Sequence, residues 1–207
     1  MNNRSAMKRT WAILLVLLLF SATAVVQAQC TYSTNTDGSI YAYSTNADGS
    51  ISIDAYTGPP WAVAVPTSIN GLTVTGIGNG LQPVFSTNLT FVTIPGSVTS
   101  LAKNAFFFCT NLANVTIPDS VTNIGIEAFC ECRSLTNAAI GNGVTRIGNS
   151  AFRNCHRLEG VYFKGNAPSL GLIPAFYHDL NAVVYYLPDT KGWGPTFAGC
   201  PTEMWKP

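Results

Sequence analysis

Charge is what this sequence has least of. Asp, Glu, Lys and Arg make up 10% of its 207 residues, against roughly 25% in an ordinary soluble domain. The formal net charge of +1 excludes the basic footprint of a nucleic-acid binder. Apolar residues reach 47%, which excludes a disordered chain. Histidine is scarce, with His156 and His178 alone, and so is recognisable catalytic chemistry. There is no Gly-x-Ser-x-Gly nucleophile turn, and the Gly-Asn-Gly turns near Gly80 and Gly143 are not phosphate-binding loops. Asp119, Glu127, Glu131 and Glu159 stand at unrelated positions, so no carboxylate pair for glycoside hydrolysis stands out. Cys130-x-Cys132 lacks the second cysteine pair of a zinc site. No metal, no cofactor and no catalysis are expected.

Long apolar runs are also missing. The longest, "WAILLVLLLF" (Trp11 to Phe20), falls short of the roughly 20 residues a membrane helix needs. Arg4, Lys8 and Arg9 precede it and "SATAVVQA" follows. Residues 1–28 therefore read as a signal peptide cut after Ala28. A lipid anchor on Cys30 is one alternative, disfavoured by Gln29 before it; an uncleaved anchor is the other. Removing the segment takes away three cations, leaves a net charge near −2, and leaves no expected membrane span.

Repetition is what the sequence has in abundance. "IPGSVTSLAKNAFFFCTNLANVT" (Ile94 to Thr116), "IPDSVTNIGIEAFCECRSLTNAA" (Ile117 to Ala139) and "IGNGVTRIGNSAFRNCHRLEGVY" (Ile140 to Tyr162) follow one another without a gap, each 23 residues long. Val, Ala-Phe, Cys and Leu recur at fixed offsets. A weaker copy begins at Val63 and needs 29 residues; another runs downstream with Phe163, Ala175–Phe176, Leu180 and Val183 at a spacing of 22. One such coil cannot bury its own apolar residues, but stacked coils place each residue on its counterpart. The stretches "LTFVTIP", "LANVTIP" and "LEGVYFK" alternate apolar and polar residues and predict short strands. "KNAFFFC", "IEAFCEC" and "NSAFRNC" predict a turn of helix. Cys109, Cys132 and Cys155 share one repeat position and predict a column of buried free thiols. Pairing among Cys30, Cys130 and Cys200 stays open.

The pattern resembles the BspA-type leucine-rich repeats of bacterial surface and secreted proteins, over about Val63 to Tyr186. The resemblance implies a curved solenoid without intrinsic catalysis, used for adhesion or protein binding. It supplies no binding residues. The chain departs from the pattern at Ala138–Ala139–Ile140, which predicts a looser edge there.

The expected architecture is an α/β repeat solenoid, with about five coils of 22–29 residues, stacked parallel strands and short helical turns opposite. Residues 29–62 would form an N-terminal β-hairpin cap, because "YSTNTDGSIYA" and "YSTNADGSISI" each carry an Asp-Gly turn. Residues 63–186 would form the solenoid and 187–207 the C-terminal cap. Calcium at Asp37 and Asp48 is disfavoured, since one carboxylate per loop is a poor oxygen set.

Two surfaces qualify for binding. The outward strand side carries Thr90, Thr93, Asn114, Thr116, Asn137 and Tyr162. The turn side carries Arg133, Arg153, His156 and Arg157, a small basic patch on an acidic protein. The expected partner is an extracellular protein or glycan, met at the cell surface or in the medium, with the periplasm also open. The alternative is a carbohydrate-binding module stacking sugars on Trp61, Tyr162, Tyr185, Tyr186 or Trp193; a line of exposed rings would favour it. Oligomeric state is unknown from sequence.

Overall fold

The computed structural model describes residues 31–35 and 38–206. The segment 1–28, Cys30 and Asp37 lie outside the described residues, and with them the signal peptide, the lipid anchor and the Asp37 loop.

The chain begins with an antiparallel meander of β1 (Thr31–Thr34), β2 (Ile40–Thr45) and β3 (Ile51–Thr57). A short strand, β4 (Ala62–Ala64), precedes the hairpin β5 (Ser68–Ile69) and β6 (Leu72–Ile77). Each later coil then contributes two strands. These are β7 (Phe91–Thr93) with β8 (Ser100–Leu101), β9 (Asn114–Ile117) with β10 (Asn123–Ile124), β11 (Asn137–Ile140) with β12 (Arg146–Ile147), and β13 (Gly160–Phe163) with β14 (Ser169–Leu170). The chain closes with β15 (Val183–Tyr186), β16 (Thr196–Phe197) and β17 (Cys200–Met204).

Two sheets wall the solenoid. The longer strands form one in the order β16-β17-β15-β13-β11-β9, while β4 and β7 pair separately beside it. The short strands continue the meander in the order β1-β2-β3-β6-β8-β10-β12-β14, so the N-terminal meander covers the first coil's edge. From β9 to β15 the pairing is parallel and in register: Asn114, Asn137, Gly160 and Val183 stand side by side. Register follows from the period, because equal coils put equal residues at equal heights.

The core consists of columns. Phe85, Phe106, Phe129, Phe152 and Phe176 stack in sequence, with ring centroids 5.0, 4.8, 5.1 and 5.4 Å apart. That spacing is near the roughly 4.8 Å between paired strands, so every coil places its ring on the last. Burying each ring contributes about 1.5–3 kcal/mol. The thiols of Cys132 and Cys155 donate to the carbonyls of Phe106 and Phe129, each at 3.2 Å. Cys109, Cys132 and Cys155 are buried and free, as their column position predicts; Cys130 and Cys200 are buried and free as well. The pairing left open for those two does not form among the described residues.

Three sequence expectations need correction. First, no helix occurs among the described residues: the Ala-Phe segments are chained turns. A helix would direct its amides to its own carbonyls four residues back. Here Asn104, Phe106 and Phe108 donate instead to the carbonyls of Ile126, Ala128 and Cys130 in the next coil, and Glu127, Phe129 and Glu131 repeat the pattern one coil on. Left-handed backbone at Asn104 (φ 62°) and Phe108 (φ 61°) makes this possible, since it turns alternate amides toward the same neighbour. Secondly, Leu180 is not the column leucine. One extra residue separates Phe152 from its successor, so buried Ala182 takes the place of Leu112, Leu135 and Leu158, while Leu180 is 94% exposed. Thirdly, the edge at Ala138–Ile140 is not loose: β11 pairs along its whole length on both sides.

Candidate functional site

The outward strand side carries two rows, set by the alternation of side chains along a strand. One row runs Asn114, Asn137, Gly160, Val183, with Phe91 at the same repeat position on β7. The other runs Thr116, Ala139, Tyr162, Tyr185, Glu203, with Thr93 on β7. Thr90, Thr93, Asn114 and Thr116 are exposed; Asn137 and Tyr162 are half-buried. The asparagines form a short ladder, in which Asn137 Nδ2 donates to Asn114 Oδ1 at 3.3 Å and to Thr136 Oγ1 at 3.1 Å. Thr90 Oγ1 donates to the Trp61 carbonyl and so ties the first two coils.

At the C-terminal end the surface becomes aromatic. Tyr162 stacks on Tyr185 with centroids 4.9 Å apart, and Trp205 meets Tyr162 edge-on at 5.4 Å. Burial raises the Tyr185 hydroxyl above the usual tyrosine range, helped by the Glu203 carboxylate and the Tyr162 hydroxyl. Trp193 is not on this surface. It packs against Phe163 and Phe197 and stacks on Tyr186, between β15 and β16 in sequence. Trp61 is 61% exposed but stands at the opposite end of the strand side. The five candidate rings therefore do not form one exposed line, and stacking covers ring faces that a sugar would need.

The strand side is open at one junction. No pairing joins β7 to β9, although β8 and β10 pair normally at the same junction behind them. A crevice of about 200 Å³ lies there, lined by Phe91, Thr93, Ile94, Asn114, Thr116 and Pro118 with the backs of Val92 and Val115. It gathers three of the six strand-side residues singled out from sequence. Phe91, 58% exposed on its rim, was missed. Its replacement of the Asn found at that repeat position in the next two coils was the available signal.

The turn side is less basic than its arginines suggest. Arg133 Nε donates to Glu131 Oε2 at 2.9 Å, and its guanidinium lies 5.8 Å from the Phe108 ring centroid. Asn154 Nδ2 donates to Glu131 Oε1 at 2.6 Å, and His178 Nδ1 stands 3.1 Å from Asn154 Oδ1. Burial raises the Glu131 carboxyl, but these hydrogen bonds and the charges of Arg133 and His156 outweigh it and hold the group low. Ionised Glu131 thus sits amid the cations. His156 and Arg157 are exposed and Arg153 is half-buried. These four residues share a side with one another and are separate from the strand side, so the sequence candidates make two surfaces.

A parallel-stranded coil with recurrent Leu, Val, Ile and Phe columns defines a leucine-rich-repeat β-solenoid. Residues 84–184 match the BspA type leucine rich repeat region in six copies, and this repeat segment belongs to that family. Six replaces the count of about five; the matched segment opens at Val84–Phe85, where Val stands for Ala beside the column ring. A leucine rich cell surface protein from Faecalibacterium prausnitzii is 25% identical, with a TM-score of 0.54 over 78% of this chain and 46% of that one. The chain thus spans less than half of that relative's length. The T. pallidum leucine rich repeat protein is 22% identical, with a TM-score of 0.52 over 81% of this chain and 87% of that one, a likeness of fold. No curated protein matches the chain.

Proposed function

We propose that this chain is an exported, non-catalytic repeat protein that binds a protein partner through its strand side, at or beyond the cell surface. One observation carries the reading. The outward rows hold Phe91 and Thr93 on β7 and Asn114, Thr116, Asn137 and Tyr162 on the in-register strands β9 to β13, without a charged side chain until Glu203. A rigid surface of polar and aromatic groups orders few side chains on binding, which limits the entropy lost. The surface relative and the signal-like segment at 1–28 support export. The covered ring faces of Tyr162, Tyr185 and Trp193 speak against glycan stacking as the main mode.

The test is site-specific photo-cross-linking in the producing cell. A benzophenone residue at Thr116 samples the strand side; one at Thr122 samples the opposite sheet. A discrete protein adduct from position 116 alone is expected. Equal adducts from both positions, or none from 116, would defeat the reading.

A further inference from the structure

The last coil ends the stack with two of its contacts unmade. In the short-strand sheet, Leu101, Ile124 and Ile147 hold one repeat position. Their carbonyls accept from the next coil, from the amides of Gly125, Gly148 and Gly171 at 2.8, 2.8 and 3.1 Å. Leu170 pairs with Ile147 at the same position, and its carbonyl has no donor among the described residues. In the turns, the left-handed residues Phe108, Glu131 and Asn154 donate their amides to the carbonyls of Cys130, Arg153 and Tyr177 at 3.0, 2.8 and 3.1 Å. His178 is their left-handed successor, and its amide has no acceptor among the described residues. β17 continues the other sheet past β15, but β14 is the last strand of its own. Leu170 is accordingly 37% exposed, where Leu101, Ile124 and Ile147 are fully buried.

The outer surface of this coil also changes character. Lys103, Ile126 and Asn149 are followed at their repeat position by Leu172, which is 99% exposed. Thr110, Arg133 and His156 are followed by exposed Leu180, and Ile173 and Tyr177 are exposed beside them in sequence. Between residues 168 and 180 no Asp, Glu, Lys or Arg reaches the surface, since Asp179 is buried. A terminal coil needs a polar outer face to stay soluble, so an apolar patch at that place marks a contact surface.

We propose that this face joins a second copy of the chain, end to end, about a two-fold axis. The contact goes beyond the strand-side reading and leaves that side free. What stacks on a coil is another coil of the same repeat, as every earlier junction shows. The opposite end of this sheet is occupied by the meander β1–β3, so the open coil end that a second copy offers is the same one. The face also answers itself. It carries an open acceptor at Leu170 on β14 and an open donor at His178 in the turn. A two-fold axis running between these segments sets the Leu170 carbonyl of each copy on the His178 amide of the other. It also buries Leu172, Ile173, Tyr177 and Leu180 of both copies together. Identical faces meet without like-charge repulsion, because neither presents an Asp, Glu, Lys or Arg.

The test is sedimentation equilibrium of the whole protein over a range of concentrations. Leu172→Lys and Leu180→Lys alter side chains that are almost wholly exposed, so each chain keeps its fold. Leu81→Lys, at an exposed leucine ahead of the regular coils, is the control. A monomer–dimer equilibrium is expected. Each substitution on the face raises the dissociation constant by about a hundredfold or more, because it enters a symmetric interface twice, and Leu81→Lys leaves it unchanged. Amide exchange reads the geometry: the His178 amide exchanges at least tenfold more slowly in the dimer than in the Leu180→Lys monomer. A monomer at every concentration would overturn the proposal, as would a dimer that survives both substitutions or one in which the His178 amide is no slower. Assembly that grows past the dimer would overturn the two-fold arrangement. A benzophenone residue at Leu172 in the producing cell should give a chain-to-chain adduct; an adduct with a foreign protein alone would replace the second copy by that partner.

Discussion

The ring of Tyr162 lies over Gly160, two residues before it on the same strand. A Cβ at position 160 would stand 2.6 Å from the ring edge and 2.7 Å from the hydroxyl. The glycine interrupts the asparagine row and leaves the space in which the ring lies down, stacked on Tyr185 and edge-on to Trp205. A Gly160→Ala substitution should therefore lift the ring and weaken both contacts, costing about 0.5–1.5 kcal/mol for each aromatic pair. Near-ultraviolet circular dichroism and denaturant midpoints would show the loss. An unchanged aromatic spectrum would mean that the ring does not rest there.

The phenylalanine column sets a second expectation. Phe129 is fully buried between two rings, whereas Phe176 is 3% exposed at the column's end. Truncating a buried Phe to Ala costs about 3–5 kcal/mol. Phe129→Ala should fall in that range and Phe176→Ala below it, since only one ring stacks on Phe176. Urea unfolding of the two variants measures the difference; equal losses would count against a stacked core.

Asp179 makes stability depend on pH. It occupies the thiol position of the last coil, its amide bonded to Phe176 O as the Cys155 amide is to Phe152 O. It is 4% exposed, and neither carboxyl oxygen has a hydrogen-bond partner. Burial pushes its pKa from 3.8 up to about 7. The folded state thus holds the proton more tightly than the unfolded chain. Stability from this group is complete below about pH 4 and is lost as pH rises to about 7. At about 1.4 kcal/mol per pKa unit, the loss between pH 5 and pH 8 is roughly 2–3 kcal/mol. Other carboxyls, such as Glu131, are held low and act in the opposite direction. The comparison is therefore between the protein and Asp179→Asn, whose stability should decline less over that range. Parallel profiles would show that Asp179 carries no such burden.

The buried thiols should be inert. Burial raises Cys109 and Cys155 far above the ordinary thiol value, and pushes Cys130 up to about 12 and Cys200 to about 11. The thiolate is the reactive form. Labelling by a disulfide reagent at pH 8 should therefore reach these cysteines only at the rate of unfolding. Modification within seconds in native buffer would contradict the column.

Much of the fold was legible because stacking is a translation. Equal offsets in sequence become equal heights in space, so Val, Phe, Cys and Leu could be assigned to columns from the period alone. Errors arose where the period slipped. Between Phe152 and Phe176 an added residue moved the column to Ala182 and left Leu180 outside. The candidate site was legible in part. Alternation correctly placed Thr90, Thr93, Asn114 and Thr116 on an exposed side, but the weak junction was expected at Ala138–Ile140.

By itself the sequence determined that the chain is a solenoid, which residues of its three regular coils line the core, and that Cys109, Cys132 and Cys155 lie inside. Those facts need only a repeated coil and the removal of apolar groups from water. The tertiary structure decided that the Ala-Phe segments are turns, because their amides bond to the next coil and a local pattern cannot display that partner. It also decided that Glu131 offsets the neighbouring cations and that the strand side opens between β7 and β9. Each of these depends on which groups meet across about one coil of chain, and neither composition nor alternation records that meeting.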